Sequence, residues 1–216
     1  MNPNSTVDPG MEAVVRDSSN SLLLVCLEQI LHEPQRLLET ARGSYRHQLG
    51  FVKIALHNDA SGQALRLHLW DQSAAVMEDI HSHCADFMSR VVSGGLEEHR
   101  YELRPGKAFT RFRYHFDADA GYALAHADGL TDVLQTSVTP LLAGTIYGRR
   151  SHELHTVANV LDGTMTVSAW GVRASEAVVI KPINARAEDC GAIAGMPLED
   201  VKNLLMYICR RLHAST

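Results

Sequence analysis

The chain has 216 residues, of which 45% are hydrophobic, and its formal net charge at pH 7 is -5. This composition is sufficient for one large domain with a buried core, so intrinsic disorder is not expected. The acidic balance, with a pI near 6.2, and the scattered basic residues argue against nucleic acid or an anionic membrane as a partner.

The N-terminal part of the chain is expected to be a flexible arm followed by helices. Residues 1–20 show no hydrophobic periodicity, which predicts the arm. From Ser21 apolar residues recur at helical intervals, which predicts a helical section over 21–50 with a break at Pro34. The apolar run from Leu22 is too short to span a bilayer and no signal-peptide pattern precedes it, so a cytoplasmic protein is expected. Four cysteines without C-x-x-C spacing are expected to be reduced thiols: Cys26, Cys84, Cys190 and Cys209.

Residues 51–185 are expected to form a β-sandwich or barrel, because short strand-like runs are separated by turn residues. Within 64–70, leucines alternate with Arg66 and His68, so these two polar side chains share a face. The predicted strands are 52–56, 64–70, 87–92, 97–103, 111–116, 153–157, 164–170 and 177–181. The predicted turns are Gly94-Gly95, Arg104-Pro105-Gly106 and Asp162-Gly163. Residues 196–213 are predicted to form an amphipathic helix that packs on the barrel.

Histidine is the unusual residue of this composition, with twelve copies dispersed along the chain. The segment Ile80-His81-Ser82-His83 places two of them at H-x-H spacing. Side chains two residues apart on a strand point to the same face, so His81 and His83 can offer two imidazoles to one metal ion. Because H-x-H pairs are common by chance, the surrounding residues decide the interpretation.

Those surroundings resemble the first motif of the cupin superfamily, G-x5-H-x-H-x3–4-E-x6-G. His81, His83 and the closing Gly94 match this pattern. Ala75 stands at the leading glycine, and Phe87 stands at the glutamate. A missing carboxylate is typical of the cysteine dioxygenase-like thiol dioxygenases, a cupin branch that binds iron through three histidines.

A later segment is similar to the part of that branch that carries the third histidine, roughly Leu-His-Arg-Val-Glu-Asn. Here the corresponding residues are Leu154-His155-Thr156-Val157-Ala158-Asn159. The resemblance implies His155 as the third metal ligand, with His152 as the alternative. It also implies a mainly β fold, a cupin-type β-barrel or jelly roll with N-terminal helices and a C-terminal helix, that binds O2 beside its substrate.

The substrate pocket departs from that branch. An arginine on an early strand binds the substrate carboxylate there, and Lys53 stands at about that place here. Ser168 matches the serine of a Ser-His-Tyr relay, whereas Trp170 and Val172 replace the other two residues. Phe87 replaces the crosslinking cysteine, so cysteine itself is not the expected substrate. The candidate substrate-binding residues are Lys53, Arg66, Tyr147 and Trp170.

The sequence therefore predicts a metal-dependent dioxygenase-type oxidoreductase that acts on a small anionic substrate, such as a thiol or an amino-acid derivative. Fe(II) is the expected metal, and Zn, Ni, Mn and Cu are alternatives because imidazole binds all of them. Two other functions stay open: a non-catalytic cupin that binds or senses a small molecule, and a Zn or Mn isomerase or lyase. Cupins often pair through sheet edges, so the resemblance also implies a homodimer.

Overall fold

A computed structural model describes residues 7–47, 51–71, 78–117, 122–174, 176–188 and 194–214. The helices in this part of the chain are α1 (Pro9–Arg16), α2 (Ser21–His32), α3 (Pro34–Gly43) and α4 (Leu198–His213). The strands are β1 (Tyr45–Arg46), β2 (Val52–Asn58), β3 (Ala64–Leu69), β4 (Ile80–His81), β5 (Phe87–Ser93), β6 (Gly95–Asp117), β7 (Tyr122–Leu142), β8 (Ile146–Arg149), β9 (Leu154–Ala158), β10 (Met165–Trp170) and β11 (Glu176–Pro182).

The strands form two antiparallel sheets in the order of a jelly roll. One sheet has the order β1-β2-β3-β10-β5-β8, and the other has the order β11-β4-β9-β6-β7. The eight strands β3 to β10 form the jelly roll. Their order is β3-β10-β5-β8 in one sheet and β4-β9-β6-β7 in the other, as two interlocked Greek keys require. The predicted jelly roll with N-terminal helices and a C-terminal helix is confirmed.

The six-stranded sheet is covered on both faces. Leu65, Leu67 and Leu69 of β3 are buried in one apolar core together with residues of all four helices. Because side chains alternate along a strand, Arg66 and His68 point to the opposite face, toward the other sheet. The fold therefore has a helical layer and two sheet layers, and the polar side chains of β3 lie between the sheets.

Arg90 of β5 links the helical layer to the six-stranded sheet. Its side chain is only 2% exposed. Its Nε donates a hydrogen bond to the carbonyl oxygen of Val15 at 2.7 Å, and its Nη2 donates to Asn20 Oδ1 at 2.9 Å. Val15 lies in the last turn of α1, where helical carbonyls lack partners and the helix dipole favours a positive charge. Arg90 thus completes the C-terminal end of α1.

The prediction of a flexible arm over residues 1–20 is wrong for Pro9–Arg16, which form α1. The Asp8 carboxylate accepts hydrogen bonds from the backbone N–H groups of Gly10 and Met11, and Pro9 begins the helix. Met11 and Val15 are buried and lie one turn apart. Two apolar anchors are too few to give a periodic signal in a polar segment. Residues 1–6 lie outside the described residues.

The prediction of a turn at Arg104-Pro105-Gly106 is also wrong, because these residues lie within β6. The register of β6 against β7 shifts between Arg104 and Phe109, which leaves 105–108 as a bulge. A bulge accommodates Pro105 because no ladder hydrogen bond is required there. The turn at Gly94 is present: its φ is 75°, and a Cβ atom there would lie 2.4 Å from Thr164 Oγ1.

None of the helices within the described ranges has the length and apolarity needed to cross a lipid bilayer. Cys26, Cys84 and Cys209 are free thiols, and Cys190 lies outside the described residues.

We expect Arg90→Met to lower the free energy of unfolding by about 2–4 kcal/mol, because it removes two charge-assisted hydrogen bonds and leaves the Val15 carbonyl unpaired. Urea denaturation measures the change. Arg104→Met is the control, since Arg104 forms an exposed ion pair with Glu102 and its loss should change stability by less than about 0.5 kcal/mol. Equal effects of the two substitutions would contradict the structural role of Arg90.

Candidate metal centre

His81, His83 and His155 meet between the two sheets. β4 pairs with β9 through His81 opposite His155. The ring centroids of His81 and His83 are 4.7 Å apart, those of His81 and His155 are 5.0 Å apart, and those of His83 and His155 are 4.9 Å apart. One nitrogen of each ring lies within 4.8 Å of the others. Within the described ranges no other three ligand side chains converge in this way.

The closest atoms of the cluster fit a bound cation. The Nε2 atoms of His83 and His155 are 2.7 Å apart. Two nitrogen lone pairs at this distance repel each other unless a proton or a metal ion lies between them. Nitrogen ligands at about 2.0–2.1 Å from a metal and at right angles to each other are separated by about 2.9 Å. The three imidazoles can therefore hold a metal ion, whose identity the donor set leaves open.

The H-x-H segment reaches the cluster without forming one continuous strand, which corrects the sequence interpretation. β4 ends at His81, and His83 follows it. Ser82 exchanges hydrogen bonds with Val178 of β11: its N–H donates to the carbonyl oxygen at 2.8 Å, and its Oγ accepts from the N–H at 2.9 Å. The N–H of His83 donates to the carbonyl oxygen of Ser151 at 3.0 Å. These bonds hold both imidazoles in the cluster.

Glu98 of β6 fixes the orientation of His155. The Glu98 side chain is fully buried, and its Oε1 lies 3.0 Å from His155 Nδ1. An ionised carboxylate only accepts hydrogen bonds, so the Nδ1–H group donates and the lone pair of Nε2 faces the cluster. The other carboxylate oxygen contacts the guanidinium of Arg149, which comes from β8 of the opposite sheet. Sequence reasoning missed Glu98 and Arg149, because neither belongs to a recognisable motif.

The protonation states of the cluster suit metal binding. Burial, followed by the positive charge that His81 can carry, lowers the pKa of His155 to about 3. Burial also lowers the pKa of His83 well below its usual value. Nδ1 of His81 lies 2.9 Å from the carbonyl oxygen of Asp79 and donates to it, so its Nε2 faces the cluster. Neutral imidazole is the form that binds metals.

Lys53 and Arg66 form a cationic wall on the inner face of the six-stranded sheet, where Lys53 lies opposite His68 on the neighbouring strand. The Arg66 guanidinium carbon lies 4.3 Å from the centre of the Trp170 ring, which is 5.1 Å from the His83 ring. Arg66 Nε is buried and has no hydrogen-bond partner. Lys53 Nζ donates to the hydroxyl of Tyr45 at 3.2 Å. Burial, and then the charge of Arg66, lower the pKa of Lys53 to about 7.

Aromatic side chains complete this wall. Trp170 stacks on Phe87 at 4.6 Å between ring centroids, and Tyr147 meets the edge of Phe87 at 6.1 Å. Burial raises the pKa of the Tyr147 phenol. Trp170 Nε1 donates to Ser168 Oγ at 2.9 Å, so this serine holds the indole. Of the four residues predicted to bind substrate, Trp170 contacts His83, Arg66 packs on Trp170, and Tyr147 packs on Phe87. Lys53 packs against Tyr45, and its role as a substrate ligand stays a prediction.

His152, the alternative third ligand, lies outside the cluster. Its side chain is exposed and lines a surface cavity with Glu153 and Tyr101. His155, three residues later, is 3% exposed. Of the two candidates, only His155 is in position to bind the same ion as His81.

Comparisons with known proteins show limited similarity. No family model matches the chain, and no curated protein matches it. A crystal structure of DMSP lyases is 15% identical, with 56% of this chain and 47% of that chain covered and a TM-score of 0.32. An RmlC-like cupin from Shewanella frigidimarina is 14% identical over 61% of this chain and 84% of that chain, with a TM-score of 0.36. A protein with a double-stranded β-helix domain from Klebsiella pneumoniae is 15% identical over 71% of this chain and 94% of that chain, with a TM-score of 0.32.

The chain spans about half the length of the first of these structures, 47%. At such identities and TM-scores the likeness carries no argument about family, substrate or reaction. The strand order defines the jelly roll, and the distances given above define the three-histidine cluster.

We expect Glu98→Gln to weaken metal binding by about 10–100-fold, because the amide no longer fixes the tautomer of His155 and leaves Arg149 without its counter-charge. Chelator competition with Co(II) measures the dissociation constant. Glu97→Gln is the matched control, since Glu97 points to the opposite face of β6 and accepts a hydrogen bond from Asn159. A Glu98→Gln protein with unchanged affinity would show that Glu98 has no part in metal binding.

Proposed function

We propose that this protein is a cupin-type, metal-dependent oxidoreductase that uses O2 to oxidise a small anionic substrate, with Fe(II) held by His81, His83 and His155. The observation that carries the proposal is a cluster of three histidines close to two half-buried basic side chains, Lys53 and Arg66, that have no carboxylate partner among the described residues. The basic side chains bear on the charge of the substrate, and the histidines bear on the metal.

The cationic wall favours an anionic substrate. Neither Lys53 nor Arg66 forms an ion pair with a carboxylate among the described residues, although both side chains are half-buried. Burying a charge without a partner costs several kcal/mol. A substrate carboxylate or similar anion would remove this cost, with Arg66 offering several donors and Lys53 a point charge.

The histidine cluster favours a metal with free coordination positions. Three imidazoles leave two or three positions of a metal ion unoccupied by protein and add no negative charge of their own. Fe(II), when bound, would supply one-electron redox chemistry that lets O2 react, and the oxidised substrate would supply the electrons that O2 takes up. Glu98 keeps the proton on His155 Nδ1, and the stacked rings of Trp170 and Phe87 exclude water from one side of the site.

The proposal is tested by metal content and oxygen consumption. We expect anaerobically purified protein to bind one Fe(II) and to consume O2 with ω-mercapto carboxylates, but not with ω-mercapto amines of the same length. His81→Ala should lose both properties, whereas the exposed neighbour substitution His152→Ala should retain them. Stoichiometric Zn or Mn without oxygen consumption would contradict the oxidase function and favour a lyase or isomerase. A purified protein without any bound metal would contradict the proposed enzyme and favour a non-catalytic binding or sensing role.

The proposed role of Lys53 predicts a pH dependence of substrate affinity. The ammonium group is charged below its pKa of about 7 and neutral above it. A bound anion stabilises the charged form and moves the midpoint upward. Between about pH 6 and about pH 9 we therefore expect affinity for a mercapto carboxylate to fall about tenfold, as one charge-assisted contact is lost. Calorimetry on the Co(II) protein measures this change, and Lys53→Met should flatten it. An equally steep profile for Lys53→Met would assign the titration to another group.

A further inference from the structure

Glu78 brings a carboxylate to the metal centre from a position outside the H-x-H motif. It precedes His81 by three residues, on the segment that leads into β4. Its side chain is 14% exposed, and its Oε1 lies 3.8 Å from His81 Nε2. Nε2 is the nitrogen of His81 that faces the cluster, because Nδ1 donates to the Asp79 carbonyl. The carboxylate oxygen therefore lies beside the atom that would bind the metal.

The second carboxylate oxygen of Glu78 is already held. Oε2 accepts a hydrogen bond from the backbone N–H of Val157 at 2.5 Å. Val157 lies on β9, two residues after His155. A hydrogen bond thus ties Glu78, which precedes the strand that carries His81, to the strand that carries His155, and the lone pairs of Oε1 are left available.

The contact between Glu78 and His81 is incomplete without a further group. At 3.8 Å it is longer than a hydrogen bond. A full ion pair would require a protonated His81, and an imidazole protonated on both nitrogens has no lone pair for a metal. A cation between His81 Nε2 and Glu78 Oε1 would satisfy both atoms at once.

We propose that Glu78 is a fourth, monodentate ligand of the metal ion that His81, His83 and His155 hold. This inference rests on the proposed metal site. It differs from the cupin motif, in which the glutamate follows the two histidines, because that position is Phe87 here. The carboxylate would lower the charge of a divalent centre by one unit and would leave a six-coordinate ion two free positions.

The test compares Co(II) binding by the parent protein, Glu78→Gln and the neighbouring substitution Asp79→Asn. The Asp79 carboxylate pairs with Lys181 of β11 at 2.5 Å and is not directed at the histidines. For Glu78→Gln we expect a dissociation constant at least about tenfold higher in chelator competition, together with a changed visible absorption spectrum of the bound Co(II). Glu78→Asp should retain part of the affinity. Asp79→Asn should keep the affinity and the spectrum of the parent.

The melting temperature of the metal-free proteins separates loss of a ligand from loss of structure, and we expect it to be unchanged in Glu78→Gln. Parent-like affinity and spectrum in Glu78→Gln would overturn the proposal while leaving the three-histidine centre in place. An equal loss in Asp79→Asn would also overturn it, because the geometry of the segment and not the carboxylate would then be responsible. Only a parent protein without Co(II) affinity would remove the proposed function as well.

Discussion

The carboxylate of Glu98 has no exposed surface and is held between Arg149 and His155. A buried charge of this kind is stable only if both of its oxygens have partners, and here the two partners come from opposite sheets. The contact with Arg149 links the sheets across the interior, and the contact with His155 fixes the imidazole tautomer. Because His155 lies opposite His81 on the neighbouring strand, this one carboxylate orients the histidine that completes the cluster.

Charge is distributed unequally across the interior. The six-stranded sheet supplies Lys53 and Arg66, which have no carboxylate partner among the described residues. The five-stranded sheet and the segment leading into it supply Glu98 and Glu78. A metal ion at the histidines would lie between these two groups. For the anionic substrate proposed above, Lys53 and Arg66 would favour an orientation with its anionic end toward the six-stranded sheet.

The sequence allowed prediction of those features that depend on local pattern. Alternation in β3 correctly placed Arg66 and His68 on one face, and spacing together with resemblance selected the three histidines that the fold brings together. Glu98 and Arg149 could not be predicted in this way, because a charged residue on a strand has the pattern of a solvent-facing position. Their pairing joins strands that lie far apart in sequence. The long strands β6 and β7 were missed in part because Pro105 and Gly106 have the composition of a turn, and only the register against β7 shows that they form a bulge.

The helical layer is what makes a polar interior possible. In a two-layer jelly roll the apolar face of each sheet must point inward, since the outer face meets water. Here α1 to α4 cover the outer face of the six-stranded sheet, so the leucines of β3 are buried against helices. The inner face is then free to carry Arg66, His68 and the neighbouring Lys53. Arg90, which joins α1 to β5, helps to keep that layer in place, and it thereby supports the site without contacting it.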